Sequence, residues 1–419
     1  MASEQATKPS VLIIGGLGKA CSEHHPSMTE GLTMSIRLHR TTPHQVHPRQ
    51  QPSIADTHRR QAPPRTSMAR TRIQGSVLER AIYTGGCGAG KCVPLTTSLG
   101  ARDVYNQTFE ANSNPTESLP RIFDREGGAE FDYVFNCGGE TRFAQDEKVY
   151  ELRSYGLSMA IGREAAKRKV KCFVEISTGM VYKSDSTPSK ESDKPKPWSN
   201  LAKWKLKAEE DLAKIDGLNL MVMRMAHVYG PYTSKFLSTA LCMARVYQSK
   251  GKEMRFLWKE DLRTNLVHVE DSTRALWHGV EWYTKSSPGR RPAPTFNIVD
   301  HANHSQKQTA QLMGEIFNIE TGFHGTLISA FARLNLDHVV DEVNDETLDP
   351  WAELQQQAGI SSSTPLTPYM EKELLKDADL SMDGSLFERE TGFKYNVEKI
   401  TREKVEEVIE SYKRMNWWP

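Results

Sequence analysis

Phe131-Asp132-Tyr133-Val134-Phe135-Asn136-Cys137-Gly138-Gly139 is the stretch on which the fold turns. A short, largely apolar run that stops at two glycines reads as a buried parallel strand closed by a tight turn. Tyr150 to Lys169 follows with helical spacing and ends in basic residues, as a helix C-terminus prefers. Val170-Lys171-Cys172-Phe173-Val174-Glu175-Ile176 is the next strand, Leu201 to Ile215 a helix, and Asn219 to Met225 a further strand. Strand and helix alternating at this spacing build βαβ units and a parallel sheet.

Working toward the N-terminus, Ser118 to Phe123 reads as a short helix. Ser10-Val11-Leu12-Ile13-Ile14 reads as a buried strand running into Gly15-Gly16-Leu17-Gly18. Three glycines after a strand let backbone N–H groups approach a pyrophosphate at a helix N-terminus. The pattern then breaks. Cys21 stands where a third spaced glycine belongs, and no acidic residue is identifiable about 20 residues on to bind ribose hydroxyls. From Lys19 to Ile73 histidines, prolines and arginines accumulate and amphipathic periodicity is lost. Such a segment buries too little apolar surface to offset its ordering entropy. Residues 19–107 are therefore expected to be an irregular or disordered insertion, or residues from outside the reading frame of the surrounding fold. On the second account the sheet would lack a helix and a strand.

Toward the C-terminus, helices mix with irregular stretches. Ser361 to Pro368 is a Ser/Thr/Pro-rich loop, and Arg402 to Met415 a charged amphipathic helix. The expected organisation is a first strand and glycine turn over 1–18 and the insertion over 19–107. The rest of a nucleotide-binding domain then spans 108–225, and a smaller substrate part with late sheet elements spans 226–419.

Composition narrows the function. The chain has 419 residues and a net charge of +1, so nothing global favours nucleic acid or an anionic membrane. No apolar run is long enough to span a bilayer. The polar start does not read as a signal peptide, and a cytoplasmic location is the default. Cys21, Cys87, Cys92, Cys137, Cys172 and Cys242 lack zinc-ligand or CxxC spacing. No metal site is expected, because the histidines from His24 to His58 also lack ligand spacing on a helix. Gly85-Gly86-Cys87-Gly88-Ala89-Gly90-Lys91-Cys92 approaches a phosphate-binding loop, but Cys92 offers no hydroxyl and Val93-Pro94 starts a helix badly. A plain glycine loop is the better reading. Trp198 and Trp204 flank Lys205 and either shape an apolar pocket or belong to the core.

An ordered set of motifs carries a family resemblance. Asp132 to Gly139 resembles the "D-x-V-h-x-x-A-A" strand end of extended short-chain dehydrogenases. Glu175-Ile176-Ser177-Thr178-Gly179-Met180-Val181-Tyr182 resembles their "S-S-x-x-V-Y", and Lys205-Leu206-Lys207-Ala208-Glu209 resembles "K-L-x-A-E". Arg224 to Pro231, Val267 to Asp271, Phe296 to Val299 and Glu390 to Lys394 follow in the family's order. The chain resembles the NAD-dependent epimerase/dehydratase branch, over Val11–Gly18 and from about Phe109 onward.

The resemblance implies an α/β fold with a doubly wound, Rossmann-like parallel sheet and a smaller C-terminal substrate domain, interrupted by the disordered N-terminal insertion that composition predicts. It implies NAD or NADP as cofactor, a small-molecule substrate such as an alcohol or a sugar nucleotide, no nucleic-acid or membrane partner, and a homodimer through a helix pair. Gly15, Gly16 and Gly18 would line the pyrophosphate, Asn112 would face the adenine side, and Cys137, Gly138 and Gly139 would leave room for the cofactor. Thr178 falls at the catalytic Ser/Thr position. Lys205 would hold the nicotinamide ribose and lower the pKa of a nearby acid. One departure matters: where the family has tyrosine, four residues before the lysine, this chain has Leu201. Leucine transfers no proton. Tyr182 is the nearby substitute, against the plainer reading that it packs in the core. A non-catalytic dinucleotide binder is the alternative function.

Overall fold

The computed structural model describes residues 9–14, 80–82, 122–124, 130–286, 288–289, 291–361 and 364–419; of 80–82 it describes the backbone. Gly15, Gly16, Gly18, Asn112, the histidine-rich stretch, the Gly85 loop and most of Ser118 to Phe123 lie outside them. Ile122 and Phe123 are helical and buried.

One six-stranded parallel sheet organises the chain. It comprises β1 (Val11–Ile14), β2 (Arg80–Ile82), β3 (Tyr133–Asn136), β4 (Cys172–Thr178), β5 (Leu220–Met225) and a late strand, Thr295–Ile298, in the order β2-β1-β3-β4-β5-late strand. Every pairing is parallel, with Ile14 opposite Asn136 and Glu175 opposite both Asn136 and Val222. The doubly wound expectation holds. One expectation is corrected: residues 19–107 were read as contributing no strand, yet Arg80–Ile82 pairs with β1. Three residues without alternation are too short a run to stand out in a sequence.

Strands β1, β3, β4 and β5 are buried on both faces, and their side chains alternate between two cores. Val11, Ile13, Tyr133, Phe135, Cys172, Val174, Met221 and Met223 face one core. Leu12, Ile14, Val134, Phe173, Leu220 and Val222 face the other, against Leu157, Met159 and Ile161. Those last three lie on the helix after β3, which runs as α1 (Glu147–Tyr150), a π-helical stretch (Glu151–Gly156) and α2 (Leu157–Lys167). A single helix over Tyr150 to Lys169 was expected. It begins earlier and is wound wider in the middle, where Gly156 closes against the Glu151 carbonyl and a Cβ would lie 3.2 Å from that oxygen. Helix α3 (Asn200–Leu212) joins β4 to β5, its N-terminus capped by Ser199 Oγ, which accepts from the Ala202 N–H.

After β5 the chain forms the short parallel pairs β6 (His227–Tyr229) with β8 (Leu266–His268), and β7 (Met254–Phe256) with β10 (Thr321–Phe323). Helix α4 (Leu237–Lys250) lies between β6 and β7. Helix α5 (Val269–Ser286) precedes the late strand, β9, and α6 (Gln306–Phe317) follows it. Helices α7 (Thr326–Leu334), α8 (Leu336–Gln357), α9 (Ser385–Thr391) and α10 (Arg402–Arg414) complete the order. A separate core built on Tyr229, Leu241, Trp351, Val405 and Tyr412 holds this C-terminal part together.

Candidate active site

The topology fixes where a ligand can lie. From β1 the chain goes to β2 on one side and returns to β3 on the other, so the strand order reverses between β1 and β3. In open α/β sheets the crevice outside the carboxyl ends at such a switch point is the ligand site. Cys137, Gly138 and Gly139 sit there, and the Cys137 N–H donates to the Ile14 carbonyl at 2.7 Å.

Gly139 has a φ of +134°, a conformation that glycine alone adopts readily. A Cβ there would lie 3.2 Å from Ser154 Oγ and 3.7 Å from Lys205 Nζ. Ser154 belongs to the π-helical stretch, and its hydroxyl accepts from the Glu140 N–H at 3.0 Å. π-Turns are frequent at functional sites because they re-aim a helix face; this one presents Ser154 to the turn after β3. Glu140 is almost fully buried and accepts from Arg142 at 2.9 and 2.7 Å and from Arg153 at 3.3 Å.

Beneath the turn lies a four-residue polar cluster. The Glu175 carboxylate, wholly buried, accepts from Asn136 Nδ2 at 2.6 Å, Ser158 Oγ at 2.9 Å and Lys205 Nζ at 3.3 Å. Lys205 Nζ also donates to the Ile176 carbonyl at 2.7 Å and the Gly138 carbonyl at 3.4 Å. An ammonium has three N–H donors, and all three find acceptors within the protein. Asn136 Oδ1 accepts from the Gly138 N–H at 3.1 Å, so the same cluster fixes the glycine turn. Burial pushes the Glu175 carboxyl up from its ordinary range, against the opposing pull of Lys205 and the hydrogen bonds of Asn136 and Ser158.

The acid beside Lys205 is Glu175, whose carboxyl the ammonium pulls down against burial. Glu175, Asn136 and Ser158 were not singled out beforehand. The available signal was an acid inside an otherwise apolar strand.

Thr178 ends β4, and its hydroxyl accepts from the Met180 N–H at 3.2 Å, capping a short 3₁₀ turn over Gly179–Val181. Tyr182 lies in the core, 2% exposed. Its hydroxyl donates to Asn297 Oδ1 at 2.7 Å and accepts from Arg224 Nη1 at 2.8 Å. Burial pushes the phenol up to about 12, with Arg224 opposing. Tyr182 is thus built into a buried network with Arg224, Glu209 and Ser177. Leu201 is half-buried on the first turn of α3 and packs against the core, as does Trp198. Trp204 meets Tyr155 at 5.6 Å between ring centroids.

The C-terminal part reaches this end of the sheet. Glu371 and Glu373 accept from the Phe143 and Ala144 N–H groups, and Lys376 Nζ donates to the Trp198 carbonyl at 3.3 Å. Among the described residues no helix is long and apolar enough to cross a membrane, and no cluster of side chains could hold a metal ion.

Comparison with known proteins agrees with the geometry. Residues 101–298 match the model of the NAD dependent epimerase/dehydratase family. Among solved structures it is similar to the UDP-glucuronic acid 4-epimerase of Bacillus cereus in complex with UDP-glucuronic acid and NAD. Identity is 13%, 73% of this chain and 80% of that one are covered, and the TM-score is 0.50. It is also similar to the UDP-glucose 4-epimerase of Thermotoga maritima with UDP-glucose, at 18% identity, 71% and 82% coverage and a TM-score of 0.48. At 13% identity the likeness to the first is one of fold alone. No curated protein sequence matches the chain.

Proposed function

We propose that the chain binds NAD in the crevice between the carboxyl ends of β1 and β3, and that it is an epimerase- or dehydratase-type oxidoreductase acting on an alcohol or sugar-nucleotide substrate. The observation that carries this reading is the Gly139 turn at the switch point, whose φ of +134° suits glycine and where a Cβ would crowd Ser154 Oγ at 3.2 Å. Cys137, Gly138 and Gly139 would border the dinucleotide, with Gly15, Gly16 and Gly18 on its pyrophosphate and Asn112 on its adenine side. A nicotinamide supplies hydride acceptance and return. Thr178 would hydrogen-bond the substrate oxygen and Lys205 would meet the ribose hydroxyls. The domain limits follow: nucleotide binding over 108–225, substrate binding from 226.

A second reading has its own observation. Leu201 cannot transfer a proton, and Lys205 is saturated by protein acceptors, so the chain suits a dinucleotide binder without turnover. Calorimetric titration with NAD⁺ and NADP⁺, followed by product analysis with UDP-glucose and simple alcohols, separates the two. Binding with product supports the enzyme, binding without product supports the silent binder, and no binding overturns both.

A further inference from the structure

Glu175 is unusual for its place. The strand that carries it is apolar on both sides, and a carboxylate with no exposed surface is costly unless it is paired and hydrogen-bonded. Every partner it has comes from a different element: Asn136 from β3, Ser158 from α2, Lys205 from α3. Asn136 Nδ2 also donates to Ser158 Oγ at 3.0 Å, so the neutral partners hold each other as well as the carboxylate. The group that closes the arrangement is Lys205, among the described residues the one cation in contact with Glu175. Its side chain is 12% exposed, whereas that of Lys203, two residues earlier on the same helix, is 58% exposed.

We infer that Glu175 is a positioning residue that latches Lys205 beneath the Gly138–Gly139 turn and holds its ammonium out of the crevice. This rests on the reading of Lys205 as the residue that meets the dinucleotide. For the ribose hydroxyls to engage Nζ, the Glu175, Ile176 and Gly138 acceptors must give up a donor. The fraction of molecules with Lys205 released then scales the apparent affinity for the dinucleotide. The latch thereby sets cofactor affinity without touching the cofactor.

Glu175→Gln isolates the effect. With its oxygen kept toward Asn136 Nδ2, the new amide nitrogen faces Ser158 Oγ, which can accept, and Lys205, which cannot. The ion pair goes while the other two contacts are kept. Glu175→Ala serves as a second variant, and circular dichroism checks that each is folded. The full chain is treated with limiting acetic anhydride, and the acetylation of Lys205 and Lys203 is followed by peptide mass spectrometry. NAD⁺ is titrated in parallel.

In the wild type Lys205 should acetylate far more slowly than Lys203; equal rates overturn the latch without any variant being needed. In Glu175→Gln the Lys205 rate should rise and NAD⁺ should bind more tightly, by about tenfold if the latched form predominates by that ratio. Unchanged acetylation in both variants overturns the proposal. Faster acetylation with weaker NAD⁺ binding also overturns it, because the pair would then present Lys205 rather than withdraw it. Faster acetylation with no NAD⁺ binding by any form leaves the latch standing and removes the cofactor reading instead.

Discussion

The Arg224 guanidinium donates to the Tyr182 hydroxyl at 2.8 Å, deep between β5 and the loop after β4. The phenol donates its own hydrogen bond to Asn297 Oδ1, so both its donor and acceptor capacities are used inside the core. Tyr182→Phe removes two buried hydrogen bonds and leaves two partners short, which costs about 1–3 kcal/mol. Chemical denaturation should show that loss while NAD⁺ affinity stays at the wild-type value. A variant as stable as the wild type but unable to turn over substrate would instead make the phenol a proton donor.

The same guanidinium forms a buried ion pair with Glu209, 2.6 Å apart, both side chains under a tenth exposed. Burial works against the charge on Arg224, and the Glu209 carboxylate more than offsets it. Arg224→Met strands that carboxylate beside Ser177 and should destabilise the fold by roughly 3–5 kcal/mol. Adding Glu209→Leu should recover much of the loss, since a buried pair replaced by apolar groups of similar size is often neutral. A double variant no better than Arg224→Met contradicts this account of the pair.

Leu201 precedes Lys205 by four residues on α3, so the two share a helix face. Leu201→Tyr would place a phenol on that face. Turnover of UDP-glucose or a simple alcohol, read by product analysis, should appear or rise, because a positioned acid contributes roughly 10²–10⁴-fold. Combining it with Glu175→Gln should raise turnover further if the latch restrains Lys205.

Asp300 follows β9 and is nearly buried; one oxygen accepts from the Ala302 N–H at 3.0 Å, and the other has no partner. Burial pushes its carboxyl up to about 7. The folded state therefore keeps a proton that the unfolded chain releases from about pH 4 upward. Stability from this group is greatest below the unfolded value and falls as pH rises toward 7. Asp300→Asn should abolish that slope: little change in melting temperature at pH 4, and a gain over the wild type at pH 8. A gain of the same size at both pH values would contradict the assignment.

How far the sequence reveals all this depends on the kind of interaction. Strands β3, β4 and β5 and helix α3 were readable because each buries a continuous apolar face, and burial leaves a period in the residues. The π-helical stretch left none: widening one turn at Glu151–Gly156 changes the hydrogen-bond register but not the residue types. Strand β2 was missed because pairing with β1, not its own three residues, makes it a strand. At the candidate site, motif order singles out Thr178 and Lys205. The contacts Lys205 makes were invisible, since Asn136, Ser158 and Glu175 are brought together by the sheet register and by α2, across separations of up to 69 residues from Asn136 to Lys205. The role of Tyr182 was undecidable before Asn297, more than a hundred positions away, was seen to bond it.

The claim that a dinucleotide lies at the β1–β3 switch point is tested most directly by amide hydrogen exchange over Cys137 to Arg142 with and without saturating NAD⁺. The Cys137, Gly138 and Glu140 N–H groups already donate to Ile14, Asn136 and Ser154, and a ligand seated on the turn must slow its opening further. The account predicts a marked slowing confined to this turn and the elements that hold it. Unchanged exchange there under saturating NAD⁺, with or without protection elsewhere, would contradict it.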